Sequence, residues 1–386
     1  MTTRRDFLYA AAGATATVWT TNASAIQASL APPDKQPVTL EVPRPPKKTI
    51  GYAVVGLGEL ALAEVMPAFA QSKLSRPVAL VSGHRDKALR VAQTYGIAES
   101  AIYDYASYDK LAQNDEVEAI YIILPNSMHA EYTIRGLKAG KHVLCEKPMA
   151  VSVAEGERMV AAAKDAKKKL MIAYRLHYEP YNRKVMEMCA TRELGAIKTF
   201  SSSHCMQVKA PNIRLSKPLG GGPVGDIGIY SIQAARYVTR EEPTAVTAMA
   251  YSSPGDQRFR EVPESVAFTM LFPSGTMAHC DCSFAAGASR RYRVHCADGF
   301  IDLDPAFSYR GLRLSVARKD AAGSESRTSI ELESGNQFAL ELDHFAQAIL
   351  DDSAVRTPGE EGLKDMRVIA AIDEAVKTGK TVRLKA

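Results

Sequence analysis

Residues 49–61 read Thr-Ile-Gly-Tyr-Ala-Val-Val-Gly-Leu-Gly-Glu-Leu-Ala, and this stretch decides the fold. Residues 49–55 are β-branched, aromatic and apolar over the length of a strand, and an apolar helical pattern runs from Ala61 to Phe69. Between them Gly56, Leu57, Gly58 and Ala61 form the G-x-G-x-x-A turn of a dinucleotide-binding unit. Gly56 permits the tight turn, Gly58 lets the backbone come close to a pyrophosphate, and the small Ala61 allows the helix to pack near the strand. The phosphates then sit on the positive end of the helix dipole. Pro67 falls inside the helical pattern and is expected to end or kink it.

An NAD enzyme places an acid on the ribose about 20 residues beyond such a loop. Here a second strand over residues 78–82 runs into Ser82-Gly83-His84-Arg85-Asp86-Lys87, with no carboxylate at the strand end. Ser82, Arg85 and Lys87 are donors suited to a 2′-phosphate, so NADP is favoured over NAD. Asp86 is read as the N-cap of a helix over 87–95. Further strands are expected at 119–124, 142–145 and 169–174, with helices near 107–114, 131–139 and 153–166. This alternation predicts an α/β fold with a doubly wound parallel sheet of the Rossmann kind, and ligands bind off the carboxyl ends of such strands. Pro125-Asn126-Ser127-Met128-His129 and Glu146-Lys147-Pro148 fall at those ends.

The chain has 386 residues, 46% hydrophobic and 24% charged, with 48 basic and 43 acidic residues and a net charge of +5. That composition excludes disorder and disulfide-stapled folds, and interspersed charges argue against a nucleic-acid partner. The six cysteines show no zinc-ligand spacing, so no metal is expected. Residues 1–25 carry Arg4-Arg5, an apolar small-residue run and Ala23-Ser24-Ala25, the pattern of a cleavable twin-arginine export signal. The apolar run is short of the roughly 20 residues that span a bilayer, so no membrane partner is expected after cleavage. Residues 26–48 form a proline-rich arm. The twin-arginine machinery exports folded proteins, commonly with a cofactor already bound, so the expected location is the periplasm.

The Gly56 loop, LPNSMHA at 124–130 and AGKHVLCEKP at 139–148, in this order, resemble the Gfo/Idh/MocA oxidoreductase family. LVSGHRDKA at 80–88, YRLHYEPYNR at 174–183, GDIGIY at 225–230 and TPGEEGLKD at 357–365 are similar to its glucose-fructose oxidoreductase branch. The resemblance runs from residue 49 to the C-terminus and is weakest over 207–218 and 310–329. It implies a periplasmic enzyme that keeps NADP tightly bound. The NADP domain would span 49–175. A second α+β domain over 176–386 would have an open, mostly antiparallel sheet covering the nicotinamide, and copies would associate through that sheet as a homodimer or homotetramer. Strand-like runs at 197–204, 245–251, 265–271, 276–283, 291–295 and 300–303 agree with this. Helices are expected near 337–350 and 360–377, the last packing back on the first domain.

Moving a hydride from an alcohol requires a group that takes the hydroxyl proton. The resemblance assigns this to Lys147 and Tyr230; much of the family carries histidine where this chain has Tyr230. A tyrosine is a poor base near neutrality unless a cation stands beside it, and Lys147 is the expected cation. Asp226 lies four residues before Tyr230, on the same helical face, and would bind a sugar hydroxyl, orient Tyr230 or hold Lys147 charged. Tyr174, Arg175, His177 and Tyr178 would line the sugar site, with Arg175 also touching the cofactor. Pro125, Asn126 and His129 would position ribose or nicotinamide, and Glu146 would orient its loop.

The periplasm offers no NADP pool, so a cofactor carried there must be recharged in place. The activity expected first is therefore a ping-pong cycle in which an aldose, glucose, becomes a lactone and a second sugar, fructose, becomes a polyol. Aldose-to-aldose transfer, a simple NADP-dependent aldose dehydrogenase, and a catalytically silent sugar-binding or sensor protein are the alternatives.

Overall fold

In a computed structural model of the chain, residues 49–319 and 323–384 are described. The expected export signal and the proline-rich arm lie outside the described residues. Strands β1 (Ile50–Val55), β2 (Ser75–Val81), β3 (Ile102–Tyr103), β4 (Ala119–Ile122), β5 (His142–Glu146) and β6 (Leu170–Ala173) form one sheet in the order β3-β2-β1-β4-β5-β6. Every pair in it is parallel. β1, β4 and β6 are buried at every residue, which is why they read as unbroken apolar runs. The crossovers hold α1 (Met66–Phe69), α2 (Arg85–Tyr95), α3 (His129–Lys138) and α4 (Val153–Ala166).

Several local expectations are corrected. The short strand β3 was not foreseen, and residues 107–114 form 3₁₀ turns over Tyr108–Gln113 rather than a helix. Pro67 does not break the helix after the glycine loop. That helix opens as a π turn, Ala61–Val65, and Pro67 lies in the first turn of α1, where a missing N–H is tolerated. Asp86 is not the N-cap of α2: the helix starts at Arg85 with His84 at the cap position, and Asp86 falls in its first turn.

The second domain opens with α5 (Pro180–Ala190), whose N-cap Glu179 accepts the N–H groups of Tyr181 and Asn182. Strand β7 (Ile197–Gln207) follows. A π turn, Val224–Gly228, then leads into α6 (Ile229–Thr239). The remaining strands are β8 (Ala245–Tyr251), β9 (Ser265–Leu271), β10 (Met277–Ser283), β11 (Ala285–Cys296), β12 (Gly299–Leu303), β13 (Leu314–Lys319), β14 (Glu325–Ile330) and β15 (Val382–Arg383). They build a nine-stranded sheet, β14-β13-β12-β11-β7-β10-β9-β8-β15. Every pair is antiparallel except β7 with β10. β9 and β10 alternate buried and exposed residues, so one face is core and the other is open. Met249 and Tyr251 are exposed on that open side.

The described residues build two hydrophobic cores, one per domain. α7 (Gln337–Leu350) returns to the first, where Phe338, Leu342, Phe345 and Ala346 are buried. The final helix, α8 (Gly359–Thr378), divides itself: Leu363 and Met366 enter the first core, and Val368, Ala371 and Ile372 enter the second. Its docking on the first domain is therefore half of what it does. All six cysteines are free thiols, five of them buried. Among the described residues no cluster of His, Cys, Asp or Glu could hold a metal.

Candidate functional site

A cleft of about 1320 Å³ opens between the carboxyl ends of the parallel sheet and the second domain. At its first-domain wall Gly56 takes φ +93°, and a Cβ there would lie 2.2 Å from the Ile123 carbonyl oxygen. A Cβ on Gly58 would meet nothing within 4 Å. The backbone at Gly58 therefore faces open cleft, the cradle that a pyrophosphate needs. Ala61 is fully buried under this turn, and the Leu57 carbonyl accepts Lys87 Nζ at 3.2 Å. Beyond β2, Ser82, His84, Lys87 and Tyr105 line the cleft, and Asp86 does not. The donor set fits a phosphorylated ribose. Arg85 is a correction: it turns outward to Glu99 at 2.8 Å and does not line the cleft.

At the other end the cleft meets the second domain. Lys147, in the turn after β5, donates to the main-chain oxygen of Asp226 at 2.8 Å and lies 3.6 Å from Asp226 Oδ1. Its ammonium is 4.8 Å from the centre of the Tyr230 ring. Asp226 sits in the π turn and Tyr230 in the first turn of α6, so Asp226, Tyr230 and Lys147 converge as expected. Asp226 Oδ2 accepts Arg214 Nε at 2.6 Å. Burial alone would raise the Asp226 carboxyl, but the Lys147 and Arg214 cations hold it below the usual range. For Lys147 burial pulls the other way, and Tyr230 with the Asp226 and Glu146 carboxylates holds the amine above its ordinary value. Glu146 accepts the Tyr121 hydroxyl at 2.8 Å and the Lys147 N–H at 3.3 Å, which fixes the turn; burial pushes its carboxyl up.

Of the four residues expected on the sugar side after β6, only Arg175 lines the cleft. The chain makes a 3₁₀ turn over Arg175–His177, and Tyr174, His177 and Tyr178 are turned into the interior. The His177 ring packs 3.8 Å from the Tyr237 ring and burial drives it down to about 3. Tyr178 donates to Met171 Sδ at 3.4 Å. Arg175 donates to the Phe307 carbonyl at 2.7 Å and to Gln337 Oε1 at 2.5 Å. Its guanidinium lies 4.8 Å from the Tyr230 ring centre and 4.6 Å from that of Tyr309.

His129 borders the cleft beside Pro125 and Asn126, although its side chain is fully buried. Its ring spans the Pro148 carbonyl at 2.7 Å and the Leu124 carbonyl at 2.9 Å, so it pins together the two loops that follow β4 and β5. Pro125 lines the cleft, and Asn126 donates to the Gly220 carbonyl at 2.8 Å, tying that wall to the glycine loop ahead of Asp226. Sequence reasoning missed His204, Arg214, Arg290, Phe307 and Tyr309, all of which line the cleft. His204 faces the Ile227 carbonyl at 3.1 Å, stacks on Phe307 at 5.0 Å and lies 5.3 Å from the Tyr230 ring. Burial drives it down to about 3, so the ring is neutral: Nδ1 donates to that carbonyl and Nε2 keeps a lone pair. Polar Ser202 and His204 alternating on the inward face of β7 was the available signal.

The family described as "Oxidoreductase family, NAD-binding Rossmann fold" matches residues 50–174, and the GFO/IDH/MocA C-terminal domain matches residues 182–302. The chain is 32% identical over 346 residues to D-xylose 1-dehydrogenase [NADP(+)] from Haloarcula marismortui, covering 87% of this chain and 93% of that protein. It superposes with a TM-score of 0.83 and 40% identity on the aldose-aldose oxidoreductase of Caulobacter crescentus complexed with glycerol, over 87% of this chain and 100% of that one. A 3-ketoreductase from Actinomadura kijaniata in complex with NADP and TDP-benzene gives a TM-score of 0.76 at 26% identity, over 85% and 98% of the two chains.

Proposed function

This chain belongs to the Gfo/Idh/MocA oxidoreductase family, and from that premise we propose that it is an NADP-dependent sugar oxidoreductase that passes a hydride from the C1 of an aldose to a second sugar. The observation that carries the reading is the convergence of Lys147, Asp226 and Tyr230 at the far end of a cleft whose near end is the Gly56–Gly58 turn. Xylose dehydrogenase and aldose-aldose oxidoreductase as relatives support an aldose as donor. The 40% identity to the latter favours a second aldose over fructose as acceptor.

The nicotinamide, when bound, would accept and return the hydride. Gly56, Leu57 and Gly58 would hold its pyrophosphate, and Ser82, His84 and Lys87 the phosphorylated ribose. Tyr230 Oη takes the proton from the C1 hydroxyl of the donor and gives it back to the carbonyl oxygen of the acceptor, so no net proton leaves over the cycle. Lys147 faces the Tyr230 ring and supplies the local positive field. Asp226, bridged to Lys147 and Arg214, fixes that ammonium and accepts a neighbouring sugar hydroxyl. His204 Nε2 accepts another. Arg175 holds the Phe307 segment against the site and keeps water from it.

The reading includes export to the periplasm in folded form, a cofactor that does not exchange between turnovers, and association of copies through the open sheet face. Glucose supplied alone to purified protein distinguishes the variants. Equal gluconolactone and sorbitol mean aldose-to-aldose transfer. Sorbitol that appears only after fructose is added means the ketose acceptor. Lactone that forms only as added NADP is consumed means a simple dehydrogenase. A Lys147→Ala variant that alters none of these activities would point to a silent sugar-binding protein.

A further inference from the structure

The sugar corner carries more positive charge than its carboxylates balance. Lys147 and Arg214 both engage Asp226. Arg175 is 5% exposed, lies in the cleft wall, and among the described residues forms no ion pair within 4.0 Å. Its hydrogen bonds go to Gln337 and to main-chain carbonyls, and its Nε has no hydrogen-bond partner. Glu146 and Glu341 are buried carboxyls that feel its charge without pairing with it, and burial pushes both above the usual range. Buried charges are ordinarily paired, because an isolated one is costly to keep out of water.

Arg290 adds a further cation to this corner, an exposed one at the mouth of the cleft. It is paired in register with His204 across β11 and β7, so the two side chains leave the sheet on the same side, and both line the cleft. Its one side-chain hydrogen bond, to Ser308 Oγ, is long at 3.5 Å, and among the described residues it too has no carboxylate partner. Both arginines act electrostatically on His204, which places them around the same point, next to Tyr230. The excess is not accounted for by a dinucleotide's phosphates, which belong to the Gly56 and Ser82 end. An oxidised nicotinamide would make the corner more positive still.

We propose that the sugar turned over here carries a negative charge on the end away from C1, a carboxylate or a phosphate, and that Arg290, backed by the charge of Arg175, receives it. This rests on the reading of the cleft as a sugar site. Guanidinium groups present parallel donors that match either anion, and a low-dielectric cleft of one sign concentrates ligands of the other. Neutral aldoses would satisfy Tyr230 and Asp226 but leave Arg290 facing water.

The test compares glucose, glucuronate and glucose 6-phosphate as donors to protein supplied with NADP, with reduced-nicotinamide absorbance and dissociation constants both read. One anionic sugar is expected to exceed glucose in kcat/KM by at least about ten-fold, and which of the two does so identifies the anion. The advantage should shrink several-fold on raising salt from about 0.05 to about 0.5 M, since screening weakens exposed contacts. Arg290→Gln should lower kcat/KM and affinity for that anionic sugar at least about five-fold more than for glucose, and Arg290→Lys should restore part of the difference. Glucose turned over as well as or better than both anionic sugars overturns the proposal and leaves the sugar oxidoreductase reading standing. An anionic preference that survives both salt and Arg290→Gln also overturns it. If no sugar reduces the bound nicotinamide, the wider reading fails first.

Discussion

The two walls of the cleft are made differently. On the first-domain wall each contributor sits in the short loop directly after a parallel strand or in the first turn that follows it: Gly56 and Gly58 after β1, Ser82 and Lys87 after β2, Asn126 after β4, Lys147 after β5. On the second-domain wall His204, Arg214, Asp226, Tyr230, Arg290, Phe307 and Tyr309 come from separate strands, turns and loops spread over residues 204–309. A parallel sheet with all crossovers on its faces collects its loops at one edge, so a local motif is enough to build that wall. The antiparallel sheet has no such edge, and its wall exists only when distant segments pack.

The two walls can be set against each other by substitution. Lys147→Met, at their junction, should lower kcat about 10³-fold with little change in melting temperature, because proton-transfer chemistry is worth about 10²–10⁴; stopped-flow reduction of bound NADP checks this. Asp365→Ala attacks the second wall through its support. Arg236, on the same helix as Tyr230, is held by Asp365 at 2.5 Å and Glu361 at 2.9 Å, with Gln233 also on Asp365 at 2.7 Å. Removing the one fully buried carboxylate among its partners should cost about 3–5 kcal/mol in urea unfolding, whereas Glu242→Gln, removing a partner 42% exposed, should cost about 1 kcal/mol or less.

A matched pair probes the first wall. Gly56→Ala should cost about 1–3 kcal/mol of stability, since its Cβ would meet the Ile123 carbonyl at a positive φ. Gly58→Ala should fold normally and weaken NADP about ten-fold, the equivalent of about 1.4 kcal/mol, measured by fluorescence titration. Histidines give a pH contrast. Burial drives His177 and His204 to about 3 and His142 and His344 to about 4, against an ordinary 6.5. The unfolded chain therefore binds more protons between those values. Stability is complete above about pH 6.5 and is lost as pH falls toward 3–4, so melting temperature should drop between about pH 7.5 and 5, with a smaller drop in His177→Phe. The smallest effect separates two neighbours after β2: Lys87→Ala should weaken NADP about five-fold, while Arg85→Ala, already committed to an exposed pair with Glu99, should change it by about two-fold or less.

The same difference in construction explains how far the sequence could be read. Gly56 and Gly58 were legible because their roles follow from residues within a few positions, and the place of Lys147 at a strand end was legible in the same way, although its role came from family likeness. Asp226 and Tyr230 came from family likeness, and a four-residue spacing then placed them together. Tyr174, His177 and Tyr178 were misplaced because a single 3₁₀ turn decides which of four polar residues within a five-residue stretch faces the ligand, and no periodicity announces that turn. Arg85 was misplaced because a flexible side chain chose Glu99, 14 residues away in sequence. Phe307 and Tyr309 carry no motif at all; they are in the cleft because Arg175 and Gln337 capture the carbonyls of 307–309.

One helix inserted into two interiors has a mechanical consequence. Leu363 and Met366 on one side of α8, with Val368, Ala371 and Ile372 on the other, rivet the halves of the molecule across its back. Gaping at the front by a simple hinge would pull one set of these side chains out of its interior, so the jaw is stiff. If a large guest can leave only by such gaping, substitutions that loosen this last helix, such as Ile372→Ala, should speed its release.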